Sequence, residues 1–125
     1  MANKSVLAIG IEPALADYAM MPGLTPELIR SHIDAQFAQL RALGYDVDGC
    51  LIDLGETAER VATAALQSKR FDCIVIGAGL RLPLRLPLFE RIINLIHTYA
   101  PPSTKICFNT TPADTVEAVQ RWVMP

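Results

Sequence analysis

The residues best suited to chemistry lie between Phe71 and Pro87, a segment that reads FDCIVIGAGLRLPLRLP. An apolar run, Cys73 to Ile76, ends at Gly77-Ala78-Gly79, and a loop punctuated by prolines and carrying Arg81 and Arg85 follows. Open α/β sheets bind their ligands where buried parallel strands end in such turns, because the carboxyl ends of the strands form a crevice. The segment therefore predicts a ligand site.

Gly77 and Gly79 could bring backbone N–H groups close to a phosphate, as glycine turns do. The dinucleotide-binding fingerprint requires a third glycine, however, and Leu82 stands in its place. No GK[ST] sequence of a Walker loop occurs either. We therefore expect a backbone contact to an anion at most, and we expect no cofactor.

The two arginines of this segment form the second candidate feature. The prolines predict an extended loop, in which alternation places Arg81 and Arg85 on one side. The leucines would then dock on the core through the other side: Leu80, Leu82, Leu84 and Leu86. Two guanidinium groups facing the strand ends are suited to hold a carboxylate or phosphate. Alternatively, they pair with nearby acidic residues, for which the candidates are Glu12, Asp17, Asp53 and Glu56.

Polar residues also follow the other predicted strands. Glu12 follows the first strand, Asp53 the second, and Asn109 and Thr110 the fourth. Glu12 and Asp53 could form an acidic pair for magnesium, but capping and ordinary surface roles explain these carboxylates better, and we expect no metal. The long connection from residue 12 to residue 24 is of a length typical of lids and binding loops; the alternative is a surface insertion.

These residues need a scaffold, and strands alternate strictly with helices along the chain. Strands are predicted at 5–11, 46–53, 72–77 and 105–109. Thr25-Pro26-Glu27 opens the first helix with an N-cap, a proline and a carboxylate, and Thr111-Pro112 is predicted to open the last helix in the same way. The alternation implies one α/β domain over 1–125: a flavodoxin-like three-layer α/β/α sandwich with a four-stranded parallel sheet of order 2-1-3-4.

Composition excludes several classes of protein. The chain has 125 residues, of which 51% are hydrophobic and 19% charged, and such a composition excludes a disordered protein. A net charge of −2 argues against a nucleic-acid partner. No apolar stretch is long enough for a membrane span, and the start lacks the pattern of a signal peptide. Three cysteines without metal-binding spacing are read as buried, reduced thiols, so a cytoplasmic location is expected.

In its size and order of elements the chain resembles receiver-like and flavodoxin-like domains over nearly its whole length. A receiver carries a phospho-acceptor aspartate after strand three, whereas this chain has Gly77-Ala78 there. The resemblance therefore implies a fold and not phosphotransfer. The segments FDCIVIGAG and ICFNTTPADTVEAVQRW are also similar to those of small uncharacterised bacterial proteins.

Three functions are left open. The first is a non-catalytic module that binds a partner or forms a homodimer through the edge strand at 105–109. The second is a protein that binds a small molecule or anion through the arginine loop, and a crevice lined by Glu12, Arg81 and Asn109 would favour this function or an enzyme. The third is an enzyme with Glu12 or Asp53 as its base.

Overall fold

The structure, a computed structural model, describes residues 3–125 and contains a four-stranded parallel sheet. The strands are β1 (Ser5–Ile11), β2 (Asp46–Ile52), β3 (Cys73–Ile76) and β4 (Lys105–Phe108). Their spatial order is β2-β1-β3-β4, and every neighbouring pair is parallel. The predicted sheet and its order are confirmed.

Four α-helices connect or follow the strands: α1 (Pro26–Ala42), α2 (Ala58–Ser68), α3 (Leu86–Tyr99) and α4 (Thr115–Gln120). Short 3-10 turns cover Pro13–Leu15, Tyr18–Met20, Ala78–Arg81 and Pro83–Arg85. Buried side chains of α2 and α3 share one hydrophobic cluster with the sheet, and those of α1 and α4 share another. The helices therefore cover both faces, and the fold is flavodoxin-like.

Side-chain alternation along the strands assigns each residue to one of these two faces. In β1, Leu7 and Ile9 belong to the cluster under α2 and α3, whereas Val6 belongs to the cluster under α1 and α4. Both faces are apolar because parallel strands between two helical layers are buried on each side. Among residues 3–125, no helix is long and apolar enough to cross a membrane.

The first helix begins and ends as the sequence predicts. The Thr25 hydroxyl accepts a hydrogen bond from the backbone N–H of Leu28 at 3.1 Å, which satisfies one of the free donors of the first turn. At the other end, Gly44 has a φ of +100°, a value that glycine adopts without steric cost. The helix therefore stops at a defined place and the chain turns back into β2.

The predicted extended loop after β3 is wrong. The segment forms two consecutive 3-10 turns, and Leu84 and Leu86 are 47% and 58% exposed instead of docking on the core. Pro83 and Pro87 occupy the first turns of a 3-10 turn and of α3, where the fixed φ of proline suits helical geometry. Of the four leucines only Leu80 is fully buried.

The last helix begins later than predicted. It starts at Thr115 and not at Thr111-Pro112, because the Asp114 carboxylate closes a turn with the residues before it. That carboxylate accepts hydrogen bonds from the backbone N–H groups of Thr110 (2.8 Å) and Thr111 (3.1 Å) and from the Thr110 hydroxyl. A turn bonded backwards in this way competes with helix formation.

The three cysteines are free and buried, as expected. Cys73 and Cys107 lie on the adjacent strands β3 and β4, with their sulfur atoms 3.4 Å apart. The hydrogen bond between the two thiols, together with burial, raises the pKa of Cys73 far above its usual value. Cys73 is therefore a protonated thiol that packs as a small apolar side chain.

Candidate functional site

An apolar pocket of about 90 Å³ lies at the carboxyl ends of β1 and β3, on the face of the sheet that α1 covers. Residues of the sheet and its turns form the floor, and α1 and the connection 12–24 form the other walls. The lining residues are Ala8, Ile9, Gly10, Ile11, Ala16, Met21, Ile29, Ile33, Phe37, Leu51, Val75, Gly77, Ala78, Gly79, Asn109, Pro112 and Thr115. The position matches the crevice expected for an open α/β sheet.

The pocket exists because the floor lacks large side chains. Val6 fills the space between β1 and the helices, but the next two residues on the same face are Ala8 and Gly10. A Cβ atom built on Gly10 meets no other atom within 4 Å. Above this part of the sheet, Ile33 and Phe37 of α1 are only half-buried. The helix therefore bridges a gap that its own side chains do not close.

The connection 12–24 covers one side of the pocket with Ala16 and Met21. Two ion pairs hold it in place. Glu12, at its start, binds Arg30 of α1, and Asp17 binds Arg85 in the 3-10 turn before α3. The segment is thus anchored to α1 on one face of the sheet and to the turn before α3 on the other.

Asn109 and Thr115 are the buried polar residues of the pocket wall, at 7% and 6% exposure. The Asn109 side-chain N–H (Nδ2) donates to the Thr115 hydroxyl oxygen at 3.2 Å. The Asn109 Oδ1 atom lies 3.5 Å from Arg81 Nη1. The otherwise apolar pocket therefore has one polar end, next to the carboxyl end of β4.

Arg81 connects the ends of β3 and β4. Its guanidinium donates to the backbone carbonyl of Ile76 at 2.5 Å and to the backbone carbonyl of Asn109, and it lies 5.0 Å from the centre of the Phe108 ring. Burial lowers the pKa of Arg81 from its usual value, and the charge of Asp114 opposes this effect. The group therefore stays charged and fixes the backbone around the polar end of the pocket.

Asp53 and Thr110 have local structural contacts outside the pocket lining. The Asp53 carboxylate accepts hydrogen bonds from the Thr57 hydroxyl at 2.7 Å and from the backbone N–H groups of Thr57 and Gly55. These bonds, the Thr57 hydroxyl first, hold the pKa of Asp53 below its usual value of 3.8. Burial acts to raise the pKa of Asp114, but the hydrogen bonds from Thr110 and Thr111 outweigh it and lower that pKa.

The eight candidate residues from the sequence thus fall into three groups. Gly77, Gly79 and Asn109 line the pocket. Of Glu12, Arg81 and Asn109 only Asn109 lines this pocket, since Glu12, Arg81 and Arg85 are not among its lining residues. These three residues hold the surrounding segments in place. Asp53 and Thr110 are engaged in the turns before α2 and α4.

Gly10, Thr115 and the apolar lining residues of α1 are not among the site residues expected from the sequence. Ile33 and Phe37 follow the period of a core-facing helix stripe, and a core is what that pattern predicts. The succession of Val6, Ala8 and Gly10 on one strand face is the signal that could have indicated a gap. Whether this succession leaves a gap depends on which helix lies above the strand, and only the tertiary structure shows which helix that is.

Within residues 3–125, no three His, Cys, Asp or Glu side chains cluster in a way that could hold a metal ion. The strand-end contacts described above are instead carboxylate–arginine pairs and turn-closing hydrogen bonds. No protein-family model matches the chain, and comparison with curated proteins finds no significant relative.

Proposed function

We propose that this protein binds a small, largely apolar molecule in the pocket between the sheet and α1. The observation that carries the proposal is the gap itself, a cavity of about 90 Å³ at the ligand-binding edge of the fold. Small-molecule sites in α/β proteins are concave and mostly apolar, with few polar groups, and they lie at this edge.

The energetics favour a ligand over an empty space. Protein interiors are packed densely, and a cavity lined by aliphatic and aromatic groups loses contacts that its walls could otherwise make. Apolar cavities accept apolar molecules, as one of roughly 150 Å³ accepts benzene. A small ring or a short branched chain would restore those contacts here, between Ile33 and Phe37 on one side and Val75 on the other.

The walls are also organised before binding. Gly10 and Val75 lie in the two central strands, and the covering connection is held by ion pairs to Arg30 and Arg85. A site on a rigid scaffold loses little conformational entropy when its ligand binds. The same ion pairs engage Glu12, the acid that could serve as a base in the enzyme alternative, so the geometry supports binding better than catalysis.

The test is to fill the pocket. Gly10→Val should place its side chain in the open space above β1 without a backbone clash, since a Cβ atom there meets nothing within 4 Å. Ala64→Val, on the exposed side of α2, adds the same atoms outside the pocket and is the matched control. Native mass spectrometry of the protein as purified should detect a bound small molecule in the parent and in the control, and not in the Gly10→Val variant.

A benzene titration followed by NMR of the Ile33 and Val75 methyl groups provides a second measurement that needs no co-purified ligand. Saturable shifts in the parent and in Ala64→Val, lost in Gly10→Val, are the expected result. If benzene leaves these methyl groups unchanged in the parent protein, or if Gly10→Val binds it equally well, the pocket is a packing defect and the proposal fails.

Self-association is a second candidate, favoured by the free edge of β4. Phe108 is 40% exposed there. The backbone N–H of Lys105 bonds to Asp72 toward β3, so the polar backbone groups of Ile106 and Phe108 lie on the outer side. A second copy of the chain could pair with this edge.

The free thiols of the protein are also in keeping with a cytoplasmic location, which we include in the proposal.

A further inference from the structure

A directional chain of hydrogen bonds runs from Arg81 through Asn109 to Thr115 at the polar end of the pocket. A guanidinium has donors and no acceptor, so the atom of Asn109 that faces Arg81 Nη1, 3.5 Å away, must be the amide oxygen Oδ1. The opposite orientation would bring the amide N–H₂ group against a cation. The amide nitrogen Nδ2 therefore faces Thr115, at 3.2 Å from its Oγ1 atom.

The second link fixes the role of the Thr115 hydroxyl. Because Asn109 Nδ2 can only donate, the Thr115 oxygen must accept, and its own hydrogen then points away from Asn109. Thr115 donates this hydrogen to no residue within 3–125. Thr115 is buried and lines the pocket, so this donor is available to a ligand there. Leaving a buried donor unpaired costs free energy.

We infer that the ligand presents a carbonyl or carboxylate oxygen to the Thr115 hydroxyl while its apolar part fills the space under α1. The inference rests on the proposed function and adds the chemical class of the ligand: a small acid or amide with a ring or short branched chain. An ammonium at the same place could meet only the second lone pair of the Thr115 oxygen, and it would lie beside the Asn109 amide hydrogens and on the side of the positive charge of Arg81.

The charge of Arg81 favours an anionic head group over a neutral one. Its guanidinium lies behind Asn109 and polarises the amide, which makes Nδ2 and in turn the Thr115 hydroxyl better donors. In a site of low dielectric constant, a positive charge one side chain away stabilises a carboxylate. The Arg81 donors bind the backbone carbonyls of Ile76 and Asn109. The site therefore recognises an anion through Asn109 and Thr115 and not by a direct bond to Arg81.

The experiment compares four probes that share one ring: benzoate, benzamide, benzylammonium and benzene. Titrations of the full chain are followed by NMR of the pocket methyl groups, and dissociation constants are measured at one pH and ionic strength. Benzene tests the pocket alone, and the other three test the head group. Charge-assisted and neutral hydrogen bonds together predict that benzoate and then benzamide bind more tightly than benzylammonium, benzoate by about tenfold or more.

Three variants locate the source of this preference. Thr115→Val removes the hydroxyl at nearly constant shape, and Thr115→Ser restores it. Thr98→Val removes a hydroxyl that bonds to Asn94 on the exposed side of α3 and serves as the matched control. Thr115→Val should weaken the binding of benzoate and of benzamide by about fivefold without changing benzene binding, whereas Thr115→Ser and Thr98→Val should keep the parent affinities.

The outcomes separate the two proposals. If benzene binds in the pocket but benzoate is no tighter than benzylammonium, or if Thr115→Val binds benzoate and benzamide as tightly as the parent does, the acceptor inference is overturned and the binding function stands. If none of the four probes perturbs the pocket of the parent protein, the binding function fails and the inference fails with it.

Discussion

Arg85 binds the Asp17 carboxylate through two hydrogen bonds, from Nε to Oδ2 at 3.0 Å and from Nη2 to Oδ1 at 2.9 Å. The side chains are 20% and 22% exposed. They are 68 positions apart in sequence, and the pair connects the covering segment 12–24 with the start of α3. It confirms the alternative in which an arginine of the loop after β3 pairs with a nearby acid. Direct binding of an anion by Arg81 and Arg85 stays a prediction.

This pair should have a measurable coupling energy. In a double-mutant cycle of Arg85→Ala and Asp17→Ala, measured by chemical denaturation, we expect a coupling of about 1–2 kcal/mol, because both groups are largely shielded from water and joined in fork geometry. The control is the Arg91–Glu59 pair, whose side chains are 59% and 54% exposed. It should couple by less than about 1 kcal/mol, as exposed pairs do. Equal couplings would contradict the anchoring role given to Arg85.

The loss of folding stability at acidic pH should depend on Asp53. Its folded-state pKa lies below 3.8, so the carboxylate contributes stability above the unfolded-state pKa, and this contribution is lost as the pH falls through the folded-state value. Asp53→Asn should lower the melting temperature at neutral pH and reduce its fall between about pH 5 and pH 2. Glu56→Gln, three residues on and exposed, is the control and should follow the parent curve. Parallel curves for the parent and Asp53→Asn would refute the assignment.

Tyr45 should be needed to hold the C-terminal segment. Its hydroxyl donates to the backbone carbonyl of Val123 at 2.5 Å, and the side chain is 1% exposed. Tyr45→Phe leaves that carbonyl without its partner, and we expect a loss of about 1–2 kcal/mol in the free energy of unfolding. Tyr99→Phe, at a position 42% exposed, should change it little. A cost at Tyr99 as large as that at Tyr45 would count against the bond.

Self-association through β4 can be tested by light scattering over a range of protein concentrations. Phe108→Lys adds a charge to the outer edge, a substitution that discourages pairing between strands. We expect a dimer mass for the parent at high concentration and a monomer mass for the variant. Arg121 donates to the Phe108 carbonyl at 2.7 Å and so occupies one of the acceptors of this edge, which should make the dimer weak. A monomer mass for the parent at every concentration would remove this candidate.

The strand order and the first helix follow from local sequence. An apolar run such as Cys73 to Ile76 predicts a buried strand wherever it lies, and alternation with helices leaves few possible topologies. Thr25 caps α1 through a bond to a residue three positions away, and Gly44 ends it by its own backbone freedom. These interactions lie within a few residues of sequence, so they could be predicted from the residues alone.

The loop after β3 and the start of α4 could not be resolved in this way, because the same residues satisfy two local patterns. Proline suits both an extended segment and the first turn of a helix, and Leu84 is exposed in the second case. The Asp114 side chain can lie in the first turn of a helix or accept a hydrogen bond from Thr110, which precedes it in the chain, and the structure shows the second arrangement. Small differences in surrounding contacts decide between such alternatives.

The sequence by itself determined the sheet, its order and the edge at which a site would form. Only the tertiary structure decided the pocket and its polar end. Gly10 leaves a gap because α1 passes above it at a distance fixed by larger side chains elsewhere on the sheet, and Asn109 meets Thr115 because the turn between them is closed by Asp114. A cavity depends on how whole helices and strands pack, whereas the type of a single residue gives only the volume of that residue.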